Sequence, residues 1–239
     1  THCISSAASD VYKRQLHFVK PVFDRRVFLK TCTNGSSELM TNLSMSLVNA
    51  LYNLQLMKIA GENGVAAYGA VMYVNFIFVA TFLGYAIGCA PVISYHYGAG
   101  NHAELKNLYK KSMSIILVWG VILFGAAQLL APVLSKIFVG YNTGLYAMTL
   151  HGFRVYAIAF LIIGINIFGS SFFTALNNGL ISAVISFLRT LVFQVIMVLT
   201  LPLWFGINGI WSAISVAEAL TLIMTTTFFV RQKDKYHYL

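Results

Sequence analysis

The sequence predicts an all-α polytopic membrane protein, with six transmembrane helices forming one bundle. Three observations predict it. Of the 239 residues, 58% are hydrophobic and only 10% are charged, whereas a soluble domain averages about 25% charged residues. The apolar residues form six runs, 35–57, 66–95, 113–135, 147–176, 181–204 and 207–230, each near or above the ~20 residues needed to cross hydrocarbon. Turn chemistry separates these runs, with Gly61-Glu62-Asn63-Gly64, Gly98-Ala99-Gly100-Asn101, Gly140 to Gly144, Asn177-Asn178-Gly179 and Gly206-Ile207-Asn208-Gly209.

The first run, from Gly35 to Ala60, organises the reading. It is apolar around most of its circumference, yet Glu38, Asn42, Ser46, Asn49 and Asn53 recur along it. At roughly 100° per residue these five side chains share an arc of about 80°. Polar groups are costly in hydrocarbon, so the stripe is expected to face a water-filled cavity, with interhelical hydrogen bonding as the alternative. Span four carries a second stripe, Asn166, Ser170, Thr174 and Asn177, read as packing between helices. Asn75 and Gln194 are single polar residues expected to be satisfied within the bundle. Tyr52, Tyr73 and Phe76 are candidates for cation–π contact with an organic cation.

Two charges lie deep in the last two spans. Arg189 and Glu218 sit on either side of the tight turn at 204–209, so their helices must run antiparallel as neighbours. Measured from the turn, they lie at about 25 and 15 Å at 1.5 Å rise per residue. A charge at such depth costs at least ~2.5–3.5 kcal/mol when unpaired, so mutual pairing is expected. The pair is read either as structural or as ion-responsive.

The formal charge of +9 belongs to residues between apolar spans, where Lys and Arg report topology rather than nucleic-acid binding. Lys106, Lys110 and Lys111 in the 96–112 loop, and Arg231, Lys233 and Lys235, collect on one side. Both termini are therefore expected in the cytoplasm. Trp204 and Trp211 flank the last outer turn, where interfacial aromatics are expected. Residues 1–15 resemble a non-native scar and 16–34 form a basic, interfacial cytoplasmic segment. The bundle occupies 35–230, and 231–239 is read as a cytoplasmic tail. The native chain is expected to begin further upstream. The three cysteines have no metal or redox spacing. No G-x-S-x-G, H-E-x-x-H or P-loop occurs, which leaves hydrolytic chemistry without a seat.

The strings ELMTNLSMSLVNALYN, VAAYGAVMYVNF, APVISYHYGAGN, ISFLRTLVFQ and GINGIWSAISVAEALT, taken in order, resemble the C-terminal half of a multidrug and toxic compound extrusion (MATE) transporter. The resemblance implies a 12-helix protein built from two six-helix bundles, of which the N-terminal one is missing here. It implies a secondary antiporter in a bacterial inner membrane that exports small organic cations in exchange for H+ or Na+ by alternating access, with no cofactor. Under that reading Glu38, Glu218 and Arg189 serve ion coupling, and Asn42, Ser46, Asn49, Asn53, Asn75 and Tyr52 line the substrate path. In the family's corresponding helix an acid often stands where this sequence has Asn42, which cannot titrate. Glu38, one turn nearer the cytoplasm, either takes over that charge or serves only as a helix N-terminal carboxylate. A related flippase of lipid-linked sugars and a non-transporting membrane scaffold are the alternatives.

Overall fold

A computed structural model describes residues 25–238. The expected scar at 1–15, and the part of the basic segment before residue 25, lie outside the described residues. The chain divides at Asn34/Gly35 into two units. Of the first unit, only the helical residues 25–34 are described.

The second unit is a helical bundle. Of helix α1 (Arg25–Gly98), the part from residue 35 onward belongs to this unit, and it is interrupted at Gly61, whose φ of 62° and ψ of −153° break the helical geometry. Backbone of this kind is essentially restricted to glycine. The interruption reverses the chain. Tyr52 and Tyr68 would stand about 24 Å apart along a straight helix, yet their rings stack at 5.0 Å. The expected four-residue turn at 61–64 is thus compressed into one residue, with helix on both sides.

Helix α2 (His102–Val139) begins after Gly100, at φ 68°, and is capped by Asn101, whose Oδ1 accepts from the backbone N–H of Glu104 at 3.2 Å. This cap starts the helix earlier than the sequence reading did. Lys106, Lys110 and Lys111 are exposed on its first turns rather than in a loop. Its buried face recurs every three or four residues from Leu105 to Val139, as an amphipathic helix requires.

The expected fourth span is two helices, α3 (Thr143–Ala157) and α4 (Phe160–Ala175), bent by 48°. At the bend, Ile158 and Ala159 donate to Val155 and Tyr156, the short-range bonding of a tightened 3₁₀ turn. The fifth run comprises α5 (Gly179–Phe187), a π-helical turn (Leu188–Phe193) and α6 (Gln194–Phe205). Gly206, at φ 55° and ψ −133°, then turns the chain directly into α7 (Ile207–Tyr236). Among the described residues, four stretches are long and apolar enough to cross a membrane, Asn42–Gly98, His102–Val139, Gly179–Phe205 and Ile207–Tyr236, and the bent α3–α4 pair makes a fifth.

Helix α7 is the hub. It packs on α3, α4, α5, the π turn and α6, and its buried face runs from Gly209 to Tyr236. Trp211 is 1% exposed and lies against Gly152, where any side chain would collide with the indole. The interfacial role expected of it is thus corrected, because the missing side chain at 152 opens a core slot. Trp204, 84% exposed, is free to meet the interface. Beyond Val230 the expected tail remains helical to Tyr236. Tyr238 then folds back among Tyr109, Phe172 and Phe229, its hydroxyl donating to the Phe229 carbonyl at 2.8 Å. These contacts place the start of α2 and the end of α7 at the same end of the bundle.

Candidate functional site

A charged triad lies where α4, the π turn and α7 meet. Glu218, on the buried face of α7, is 0% exposed. Arg189, on the π turn, donates from Nε to both carboxylate oxygens, 2.8 Å to Oε1 and 3.1 Å to Oε2. Asn166, fully buried on α4, donates from Nδ2 to Glu218 Oε2 at 2.7 Å and to the Glu218 backbone carbonyl at 3.0 Å. Every one of these contacts to the carboxylate comes from an N–H donor, so the arrangement suits an ionised acid. Its cost is visible in Asn166 itself, whose buried Oδ1 has no hydrogen-bond partner among the described residues. Such an orphan costs about 1–3 kcal/mol and calls for an explanation.

Arg189 and Glu218 of this triad open onto a cavity of ≈ 260 Å³, and Asn166 lies behind them. Asn49, Tyr52, Tyr68, Asn75 and Phe76 of α1 form one wall, with Tyr156 of α3 and Ile163 and Ile167 of α4 behind them. Arg189, Thr190, Gln194 and Glu218 supply the polar side. Tyr68 donates its hydroxyl to Asn49 Oδ1 at 3.0 Å, fixing that amide at the rim. The Tyr52 hydroxyl and Asn75 Oδ1 are buried with no hydrogen-bond partner among the described residues. Among the described residues, Arg189 and Glu218 are the only charged ones in the lining, and they cancel.

The π turn explains how this lining is assembled. Residues five apart on an α-helix point about 140° away from each other, whereas the wider π geometry brings i and i+5 towards one face. Arg189 and Gln194 are such a pair, and both line the cavity.

The residues singled out in the sequence separate into groups. The structure brings Arg189 and Glu218 together and places Asn49, Tyr52 and Asn75 on the cavity. Asn42, Ser46 and Asn53 are exposed and do not line it. Ser46 Oγ donates to the Asn42 carbonyl at 3.2 Å, and Asn53 Nδ2 to the Asn49 carbonyl at 2.9 Å, both within α1. The expected stripe thus splits, since only the part facing the second arm of α1 is enclosed. The Glu38 side chain lies outside those described. In span four, Ser170 and Thr174 hydrogen-bond Ser182 and Ser186 of α5, which is packing as expected. Asn166 departs from that stripe and joins the acid. Gln194, expected to be satisfied inside the bundle, lines the cavity instead.

Apolar helices of spanning length around a small, largely apolar cavity with one polar side define the class: a polytopic, all-helical membrane protein. A family model described as MatE matches residues 39–200. The chain belongs to the MatE family. Solved structures share the fold at low identity. The chain superposes on a MATE structure in complex with MaL6 with a TM-score of 0.83 at 19% identity, covering 99% of this chain and 55% of that one. An outward-facing multidrug resistance MATE family transporter of the MOP superfamily gives 0.83 at 20% identity, covering 98% and 54%. A MOP superfamily transporter from Pyrococcus furiosus Vc1 (DSM3638), described as having a binding pocket of reverse polarity, gives 0.81 at 19% identity, covering 98% and 54%. The chain thus spans just over half the length of the structures it matches. No curated protein matches the sequence.

Proposed function

We propose that this chain is the C-terminal lobe of a secondary antiporter that exports drug-like organic cations in exchange for H+ or Na+ by alternating access. Counting the two arms of α1 separately, and α3–α4 as one bent span, gives six crossings. A second six-helix lobe would complete a 12-helix transporter in a bacterial inner membrane. Lys106, Lys110, Lys111, Arg231, Lys233 and Lys235 sit on the start of α2 and the end of α7, which meet at one end. The positive-inside rule makes that end cytoplasmic.

The observation that carries the proposal is the buried Arg189–Glu218 pair at the polar side of a cavity with tyrosine and phenylalanine walls. While Glu218 is ionised, the cavity is neutral and its aromatic faces can hold an organic cation. Transfer of a proton or Na+ to the carboxylate removes its compensation of Arg189. The guanidinium then stands as an uncancelled positive charge beside the bound cation and favours its release. Entry of one cation is thereby linked to exit of another, the requirement for exchange between two states of different affinity. Asn49, Tyr52 and Asn75 line the path; Asn42, Ser46 and Asn53 are left for the surface shared with the second lobe. A lipid-linked sugar flippase is less well supported, because the lining's charges cancel and offer a pyrophosphate nothing.

The full-length transporter, reconstituted in liposomes, should drive ethidium against its gradient when an ion gradient is imposed. Glu218→Gln should abolish that drive, and its survival with an unchanged pH profile would sink the coupling role. The lobe expressed alone should not lower cellular ethidium accumulation.

A further inference from the structure

The double hydrogen bond of Asn166 has a consequence for how Glu218 exchanges its partners. One amide proton is held by the backbone carbonyl of residue 218 and the other by Oε2 of the same residue. The amide therefore splints the side chain of Glu218 to its own main chain. It cannot turn over to accept a proton, because Oδ1 would then meet the carbonyl oxygen that Nδ2 now contacts at 3.0 Å. Its own unpartnered oxygen is the penalty for keeping both protons on residue 218. Arg189 is held differently. It makes its bonds through Nε, lies on the irregular π turn, and its side chain is 16% exposed against 1% for Glu218.

We propose that Asn166 is a positioning residue that pins Glu218 Oε2, so that proton or cation exchange takes place at Oε1 and it is Arg189 that leaves. This rests on the coupling role assigned to Glu218 above. An incoming proton binds an Oε1 lone pair, the Nε–H contacts to Oε1 and to Oε2 are both broken, Oε2 keeps its bond from Asn166, and Arg189 keeps its charge and turns to the cavity. Asn166 supports only the ionised carboxylate, so it also sets the pH at which exchange occurs. Among the described residues, the other titratable groups lining the same cavity are Tyr52 and Tyr68 of α1 and Tyr156 of α3, and Arg189 is the one cation.

The test uses the full-length transporter in liposomes and reads ethidium transport against pH. Asn166→Leu removes both donors at similar volume, and Asn166→Ala removes them with a smaller side chain and no new charge. Loss of a hydrogen bond to a charged group favours the protonated acid, so the midpoint should move to higher pH by ~1–2 units in both variants. The KM for ethidium at low pH should stay within about threefold, since the amide does not line the cavity. A midpoint that stays in place in both variants, while Glu218→Gln flattens the profile, overturns the role of Asn166 and leaves the coupling role standing. A Glu218→Gln profile like that of the wild type removes the coupling role itself. If neither Asn166 variant transports, infrared titration of the protonated-carboxyl band in the purified protein decides. An upward shift relative to wild type supports the proposal, and an unmoved band overturns it.

Discussion

Replacing Arg189 with Met tests the charge pair most directly. The variant keeps an unbranched apolar stem but leaves Glu218 buried without its cation. The pair is well shielded, with side-chain exposures of 16% and 1% and a closest approach of 2.8 Å. Removing one partner of a buried pair costs about 3–5 kcal/mol. A bare charge at the centre of a membrane helix costs about 2.5–3.5 kcal/mol on insertion scales. The two figures describe the same unpaired charge and overlap, so the expected loss is about 3–4 kcal/mol. Adding Glu218→Gln removes the stranded charge while leaving Asn166 a partner oxygen. The double variant should therefore recover to within ~1 kcal/mol of Glu218→Gln alone. Denaturant unfolding of the purified full-length protein in lipid bicelles measures each corner of the cycle. An equal loss for Arg189→Met in both backgrounds would falsify the reasoning, because the two side chains would then not be energetically coupled.

Two further changes probe the backbone that presents the site. Gly61→Ala places a β-carbon on the reversal at φ 62° and should cost about 1–3 kcal/mol in the same unfolding assay; a neutral result would show that the arms of α1 pair without that geometry. Inserting one alanine after Val192 in the π turn makes Arg189 and Gln194 six residues apart, about 120° from each other at 100° per residue, so they should no longer share the cavity. Ion-driven ethidium transport should fall to the level of Glu218→Gln while the protein still elutes as a single species, and undiminished transport would rule out the register argument.

Much of this architecture is legible in the sequence because hydrocarbon imposes simple rules. Apolar runs must be helical when no water can satisfy the backbone, and glycine-rich breaks between them mark reversals. The pairing of Arg189 with Glu218 follows from the same logic, since the short turn before α7 forces adjacency and two lone charges are expensive. What escaped the sequence has no local signature. The 48° bend at residues 158–159 contains neither proline nor glycine. The π turn is spelled LRTLVF, a string equally suited to an α-helix. Trp211 is buried only because residue 152, distant in sequence, lacks a side chain. The stripe on α1 was readable as a line of amides, but which of them meets the second arm depends on where Gly61 folds the helix back. Asn166 was misplaced for a similar reason, because spacing along α4 cannot distinguish a neighbour on α5 from one on α7.

The irregular elements share a location, and that has a physical basis. Tyr156, just before the α3–α4 bend, lines the same cavity as Arg189 on the π turn and Glu218 on the buried face of α7. A regular helix satisfies its own backbone and presents side chains at fixed angles, so it has little freedom to converge several polar groups on one point. Bends and wide turns provide that freedom, but they are tolerated at membrane depth only where protein or a cavity surrounds them. The ion pair needs converging donors, and irregular backbone needs a polar or enclosed setting. Each therefore makes the other affordable at this depth. That mutual dependence gives the insertion after Val192 and the substitution at Arg189 a common expectation. Shifting the register and removing the charge should produce the same stranded carboxylate, and Glu218→Gln should relieve both.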